Sequence, residues 1–198
     1  MAWLALGLYL VYLGTAFGVR SWLQWRHTGS TGFRGVSGRP GSLEWWGGAL
    51  FVLALVLGLA APALQLAEVV SPLAFAGHLA GAALAACGIV GTLLAQQAMG
   101  TSWRIGVDEA EATTLVTDGP FARVRNPIFT AMIATATGLT VLTPNVVALA
   151  GLAALVGAIE IQVRAVEEPY LLRTHGEAYR HYVSRSGRFL PPLVTKAS

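Results

Sequence analysis

Residues that could do chemistry crowd into two stretches of the chain. The first is GPFARVRNPIF, Gly119 to Phe129: two arginines, Arg123 and Arg125, then Asn126-Pro127, then an apolar run. Asn is favoured at a helix N-cap and Pro at the first helical position, so a helix is predicted to start there. Its unpaired N–H groups and positive dipole end would sit beside the fixed charge of Arg125, a combination suited to an anion. The residues before it, TTLVTDGPF, carry β-prone types and an Asp-Gly-Pro turn. An extended piece there could run along a ligand and offer it backbone groups. The bland alternative is that both arginines meet lipid headgroups.

The second stretch is EIQVRAVEEPYLLRTHGEAYRHYVSRSGRFLPPL. Glu160, Arg164, Glu167 and Glu168 share helical spacing at the exit of an apolar segment, so they cluster on one side of it. A solvated helix end with surface ion pairs would look the same. Tyr170, Tyr179, Tyr182, the Gly176 break and the ending Arg188-Phe189-Leu190-Pro191-Pro192 point instead to a folded cap. There is no G-x-G-x-x-G loop, no P-loop and no H-E-x-x-H. His27, His78, His175 and His181 are too scattered for metal ligation, and no metal is expected. The single cysteine, Cys87, lies in an apolar segment and reads as a small core hydrophobe.

The elements that must position these residues are membrane helices. Of the 198 residues, 55% are hydrophobic and only 12% charged, against about 25% charged in soluble domains. The apolar segments are Ala2–Val19, Leu43–Ala61, Leu73–Ala98, Ile128–Leu142 and Val146–Ile159. The third is the longest and is expected to tilt. The fourth and fifth, joined by Thr143-Pro144-Asn145, read as an antiparallel hairpin. The N-terminus lacks the basic region and cleavage site of a signal peptide and reads as the first span. Gly14–Gly18 and Gly77–Gly81 have the spacing of close helix packing. His78 is the one ionisable group inside a span: either a functional group or a histidine reaching the outer interface.

The basic residues are unevenly placed. Arg20, Arg26, Arg34 and Arg39 follow span one, Arg104, Arg123 and Arg125 follow span three, and Arg164, Arg173, Arg180, Arg185, Arg188 and Lys196 follow span five. The loops at 62–72 and 143–145 have none. The positive-inside rule then sets the N-terminus outside and the C-terminus in the cytoplasm. RSWLQWRH, residues 20–27, is basic and amphipathic and is expected to lie along the inner interface. Basic residues confined to loops between apolar segments exclude a nucleic-acid surface. The expected fold is an all-α integral membrane protein, five transmembrane helices with a cytoplasmic C-terminal helical cap, in a single domain.

LVTDGPFARVRNPIF, followed from Glu167 by EEPYLLRTHGEAYRHYVSRSGRFLP, resembles the isoprenylcysteine carboxyl methyltransferase family of integral membrane enzymes. That family's pattern is Arg-His-Pro-x-Tyr at a helix start, then Glu-Glu, Phe-Gly, and paired tyrosines before Arg-x-x-Pro. Here Asn126 stands in place of the histidine, Phe129 in place of the tyrosine, and Gly176 follows His175 rather than phenylalanine. The resemblance covers residues 100–192, the cofactor-binding half; the three spans of 1–99 match only in hydropathy. It implies S-adenosylmethionine as methyl donor, held at the cytoplasmic face by Thr113, Thr114, Leu115, Val116, Phe121, Asn126, Pro127, Ile128, Phe129 and Glu167. Arg125 suits the carboxylate of that ligand, Glu167 its cationic end. The resemblance also implies that an arginine at the end of span five, here Arg164, holds the acceptor. The substrate would be a lipophilic molecule from the bilayer, and a carboxylate acceptor would need no general base. Two rival classes stay open. One is an NADPH-dependent membrane reductase of the sterol-reductase type, which would want a larger basic cluster than Arg123, Arg125 and Arg164. The other is a non-catalytic membrane scaffold.

Overall fold

A computed structural model of the chain describes residues 1–32, 35–36, 38–103 and 114–192. Arg34, Arg104, Thr113 and Lys196 lie outside the described residues. Among the described residues the fold is all-helical, with one isolated bridge, Val124 to Gly187, and no strand. The helices are α1 (Ala2–Thr28), α2 (Leu43–Leu66), α3 (His78–Met99), α4 (Pro127–Leu142), α5 (Val146–Ile161) and α6 (Glu168–Arg185). A π-helical turn, Gln162–Glu167, joins α5 to α6 without a break. Among the described residues four helical runs, Ala2–Thr28, Leu43–Leu66, His78–Met99 and Val146–Arg185, are long and apolar enough to cross a membrane, the last of them kinked at Gly176 (φ 50°). The fifth, α4, is apolar but has 16 residues, about 24 Å of helix against a ~30 Å hydrocarbon core.

Two expected boundaries move. The 20–27 segment is not a separate interfacial piece: α1 runs through a π-helical turn, Gly14–Val19, with Arg20 still helical (φ −64°), and stops only at Gly29. Val19 is helical as well (φ −61°, ψ −41°), and the Arg20 N–H donates back to the preceding turn, so the ladder runs on. The third span begins at His78, not Leu73, because Gly77 has φ 128°, outside any α-helix. The preceding residues 71–77 have no regular secondary structure, and the Leu73 N–H donates to the Pro144 carbonyl at 2.7 Å. This span has 22 residues and is shorter than the 24 of α2. His78 is therefore the first residue of a helix, at the end of the bundle away from the arginines.

The Thr143-Pro144-Asn145 turn forms as expected. Asn145 caps α5, accepting from the Ala148 N–H at 2.8 Å, while its amide donates to Ala61 O and Gln65 Oε1 of α2. Yet α4 and α5 spend their packing faces elsewhere: α4 lies along α3 and α5 along α2. The α3–α4 contact is backbone on backbone. A Cβ on Gly138 would come within 2.3 Å of Ala85 N, and one on Gly88 within 2.5 Å of Thr135 N. Gly81 takes part in the same seam, but its spacing partner Gly77 lies before the helix, and Gly14 and Gly18 have nothing within 4 Å. Small-residue spacing thus marks the packing face in one of the two places where it occurs.

The buried core joins Tyr12 and Ala16 of α1, Ala54, Ile89, Met132, Leu155 and Ile159, and Val163 of the second π-turn. Both π-turns therefore meet the core, through Ala16 and Val163, each fully buried. Phe189, Ile128 and Phe129 pack on this cluster from the end of the bundle where the site residues lie.

Candidate functional site

The site is built where the chain enters α4 and where it leaves α6. Residues 114–117 have no regular secondary structure, Gly119–Ala122 makes one 3-10 turn, and α4 starts at Pro127. After α6, residues 186–189 cross this entry. Gly187 N–H donates to Arg123 O at 2.9 Å, Arg125 N–H to Gly187 O at 2.8 Å, and Asn126 N–H to Arg188 O at 3.1 Å. The Asn126 side-chain amide reaches the same Arg188 carbonyl at 3.1 Å, and the Thr130 hydroxyl donates to Phe189 O at 2.8 Å. The Tyr182 hydroxyl donates to Phe121 O at 2.6 Å, with Tyr182 and Phe121 both buried. A 3-10 turn, a helix start and a C-terminal strap are thereby locked into one unit.

Asn126 does sit at the N-cap position of α4, but its side chain makes no cap. The Arg188 carbonyl is the competing partner, and a carbonyl takes the amide's N–H where a cap would have used its oxygen. The first-turn N–H groups of Ile128 and Phe129 consequently have no acceptor within the helix. They face the lip with the positive end of the α4 dipole behind them.

The arginine beside them is engaged from the far side. Arg125, whose side chain is 10% exposed, donates to the carbonyls of Ser186 and Val183 and reaches Glu168 Oε1 at 3.5 Å. It therefore caps the C-terminal end of α6, where cations are favoured. Its Nε is buried and has no partner. Arg188 holds the same carboxylate from the other side, Nε to Oε1 at 2.7 Å and Nη2 to Oε2 at 2.8 Å. The bond to Glu168 raises the Arg188 pKa above its ordinary value. Two guanidinium groups thus share the one Glu168 carboxylate.

The remaining site residues fall around this unit. Leu115 and Val116 are half-buried on the approach to the turn, and Thr114 is exposed with its hydroxyl 3.5 Å from that of Ser102. Pro127, Ile128 and Phe129 are half-buried along the first turn of α4. Glu167 ends the π-turn and accepts from Gln162 at 3.4 Å. The four charged residues expected to cluster divide into two groups. Glu168 joins Arg125 and Arg188, whereas Arg164 pairs with Glu160 on an exposed helix face. Arg164 and Glu160 keep the i,i+4 spacing of a straight helix, and the π-turn over Gln162–Glu167 shifts the register of Glu168 after it. Glu168 and Arg188 were not singled out from the sequence as site residues; the Glu-Glu and Arg-x-x-Pro elements of the motif are the signal that marks them.

Arg20 supports the approach from α1. Its guanidinium lies 4.7 Å from the centre of the buried Trp103 ring and donates to the Gly100 carbonyl at the end of α3. All these contacts are at one end of the bundle, the end that also carries the other described arginines.

The family profile described as phospholipid methyltransferase matches residues 76–178, just over half of the chain. It runs from α3 to the middle of α6 and includes every candidate site residue from Thr113 to Glu167. Comparison with curated proteins finds no match.

Proposed function

The chain belongs to the phospholipid methyltransferase family, and on that premise we propose that it transfers a methyl group from S-adenosylmethionine to a lipid acceptor at the arginine-rich end of its bundle. Membership makes the protein a membrane methyltransferase with a lipid-type substrate, in the same group of integral membrane methyltransferases as the isoprenylcysteine enzymes its motifs resemble. The donor, the side of the membrane and the residue roles are our reading.

The observation that carries it is the unpartnered, buried Nε of Arg125 beside the free N–H groups of Ile128 and Phe129. A buried charged donor left without an acceptor costs about 1–3 kcal/mol or more, and a ligand carboxylate would remove that cost. When bound, S-adenosylmethionine supplies a methyl group made electrophilic by its sulfonium. Arg125 and the start of α4 would hold the carboxylate, and Glu167 the ammonium. Leu115, Val116, Ile128 and Phe129 would wall the adenine, with Thr113, Thr114, Phe121, Asn126 and Pro127 completing the cradle. Arg164, off the cofactor unit and exposed, would hold an anionic group of the acceptor. The protein's contribution is position and exclusion of water, since displacement at a methyl carbon needs alignment above all. Positive-inside placement of the arginines puts this end in the cytoplasm.

Calorimetry on the purified protein in detergent tests the reading. S-adenosylmethionine or S-adenosylhomocysteine should bind and NADPH should not. Binding of NADPH alone would make the protein a reductase, and binding of neither would leave a scaffold.

A further inference from the structure

A groove of about 380 Å³ runs between α3 and α4 and opens beside the candidate site. Its mouth is formed by Pro120 and Pro127, its middle by Gly91 and Ala131, and its deep end by Cys87 and Ala134. The orientation follows from the antiparallel seam: Gly91 faces Ala131, Gly88 faces Thr135, and Gly119 lies near Ala98 at the top. Small residues on both helices leave this furrow open. From Ala95 to Cys87 it is about 12 Å long at 1.5 Å per residue.

We propose that this groove holds one hydrocarbon chain of the lipid acceptor and sets its headgroup against the methyl-transfer site. The inference rests on the methyltransferase reading and adds where the substrate's tail lies. Around the groove α3 shows apolar side chains outward, Leu84, Val90 and Leu94, all exposed, so the medium filling it is the bilayer. Its length approaches one leaflet of hydrocarbon, half of ~30 Å. A partner helix, ~10–12 Å across with its side chains, is too wide for it. Pro120, Val124 and Pro127 belong both to the groove wall and to the site stretch, so a chain lying in the furrow ends at the α4 N-terminus. The headgroup then meets the lip next to the donor that Arg125 and the start of α4 would hold.

The test uses the whole protein in lipid nanodiscs, with a phosphatidylethanolamine carrying a diazirine midway along one acyl chain. After illumination, adducts should concentrate on residues 87–95 and 127–134, and Ala134→Trp should remove them while Leu84→Trp, outside the groove, leaves them. Adducts spread evenly over the exposed faces of α2 and α3, or unchanged in Ala134→Trp, overturn the proposal. A parallel assay follows methyl transfer to acceptors of increasing chain length. Filling the groove should lower kcat/KM for long-chain acceptors about tenfold or more, as several methylenes lose apolar contact, and leave short-chain analogues nearly unaffected. Equal loss for both chain lengths also overturns it. Cys87, the only cysteine, is exposed and not the core residue its apolar surroundings suggest, so alkylating it blocks the deep end without mutation and should reproduce the Ala134→Trp pattern if that variant misfolds. Wild-type protein that methylates nothing but crosslinks in the groove would refute the activity and keep the lipid slot. Methylation without groove adducts would do the reverse.

Discussion

Arg188 grips Glu168 with two parallel hydrogen bonds, Nε to Oε1 at 2.7 Å and Nη2 to Oε2 at 2.8 Å, across 20 residues of chain. The fork geometry is the strong form of a guanidinium–carboxylate contact. Both side chains are under a third exposed, 30% and 21%, so water screens the pair only partly. It anchors the strap that crosses the start of α4, and it sets the carboxylate that Arg125 also reaches.

Removing either partner should therefore loosen the strap. Glu168→Gln and Arg188→Ala are each expected to cost about 1.5–3 kcal/mol, read as a lower melting temperature in detergent. The double variant should lose clearly less than the sum, since both changes delete one contact. Strictly additive losses would show that the pair does not couple.

Glu167 and Arg125 separate binding from folding. Glu167 makes one long contact, to Gln162 at 3.4 Å, so Glu167→Gln should leave melting unchanged. A lost charge-assisted contact of about 1.5–3 kcal/mol would weaken S-adenosylmethionine binding roughly ten- to a hundredfold. Arg125→Ala should weaken binding similarly and lower stability as well, because Arg125 caps α6. Arg26→Ala, whose guanidinium stacks on Trp22 of its own helix, is the control. Wild-type affinity in both variants would mean the cofactor clamp is misplaced.

Arg164 offers the opposite signature. Its ion pair with Glu160 is exposed, 57% and 38%, and such pairs contribute ~0–1 kcal/mol. Arg164→Ala should melt like the wild type and bind the donor normally, yet raise KM for the lipid acceptor. An unchanged KM would remove Arg164 from the acceptor site.

Two glycines in helices should respond with opposite signs. Gly138→Ala drives a methyl into the backbone of Ala85 and Gly81, an overpacking cost of about 1–3 kcal/mol or more. Gly14 is helical with open space around it, so Gly14→Ala should gain about 0.5–1 kcal/mol. Thermal unfolding of the two variants, side by side, checks the α3–α4 seam; equal effects would refute it.

Topology is checked by single-cysteine labelling in a Cys87→Ala background. Ser30→Cys, beyond the α1 C-terminus, should be shielded from an impermeant maleimide in intact cells, and Glu68→Cys, after α2, should react. The reverse pattern would turn the site to the other side of the membrane.

The sequence alone determined that this chain lives in a membrane and roughly where its helices lie. Apolar runs separated by every lysine and arginine leave few alternatives once hydrocarbon is the solvent. It also determined the helix start at Pro127, the turn at Thr143–Asn145 and the break at Gly176, because those residues act on the backbone beside them. Boundaries failed where local rules were silent: nothing in the apolar stretch Leu73–Gly77 announces that it stays outside the helix, and the Leu73 N–H goes to Pro144. Tertiary structure alone decided which helices pair. Helices apolar on all sides carry no amphipathic stripe to name their neighbour, and only the backbone fit at Gly88 and Gly138 selects α3 with α4. The site shows the same division. The motif marked Arg125 as a cation at a helix start. That it turns two of its nitrogens to Ser186, Val183 and Glu168, and keeps one without a partner, follows from chain segments 43 and 61 residues away. Long side chains choose partners by proximity in the folded bundle, and local sequence does not record that proximity.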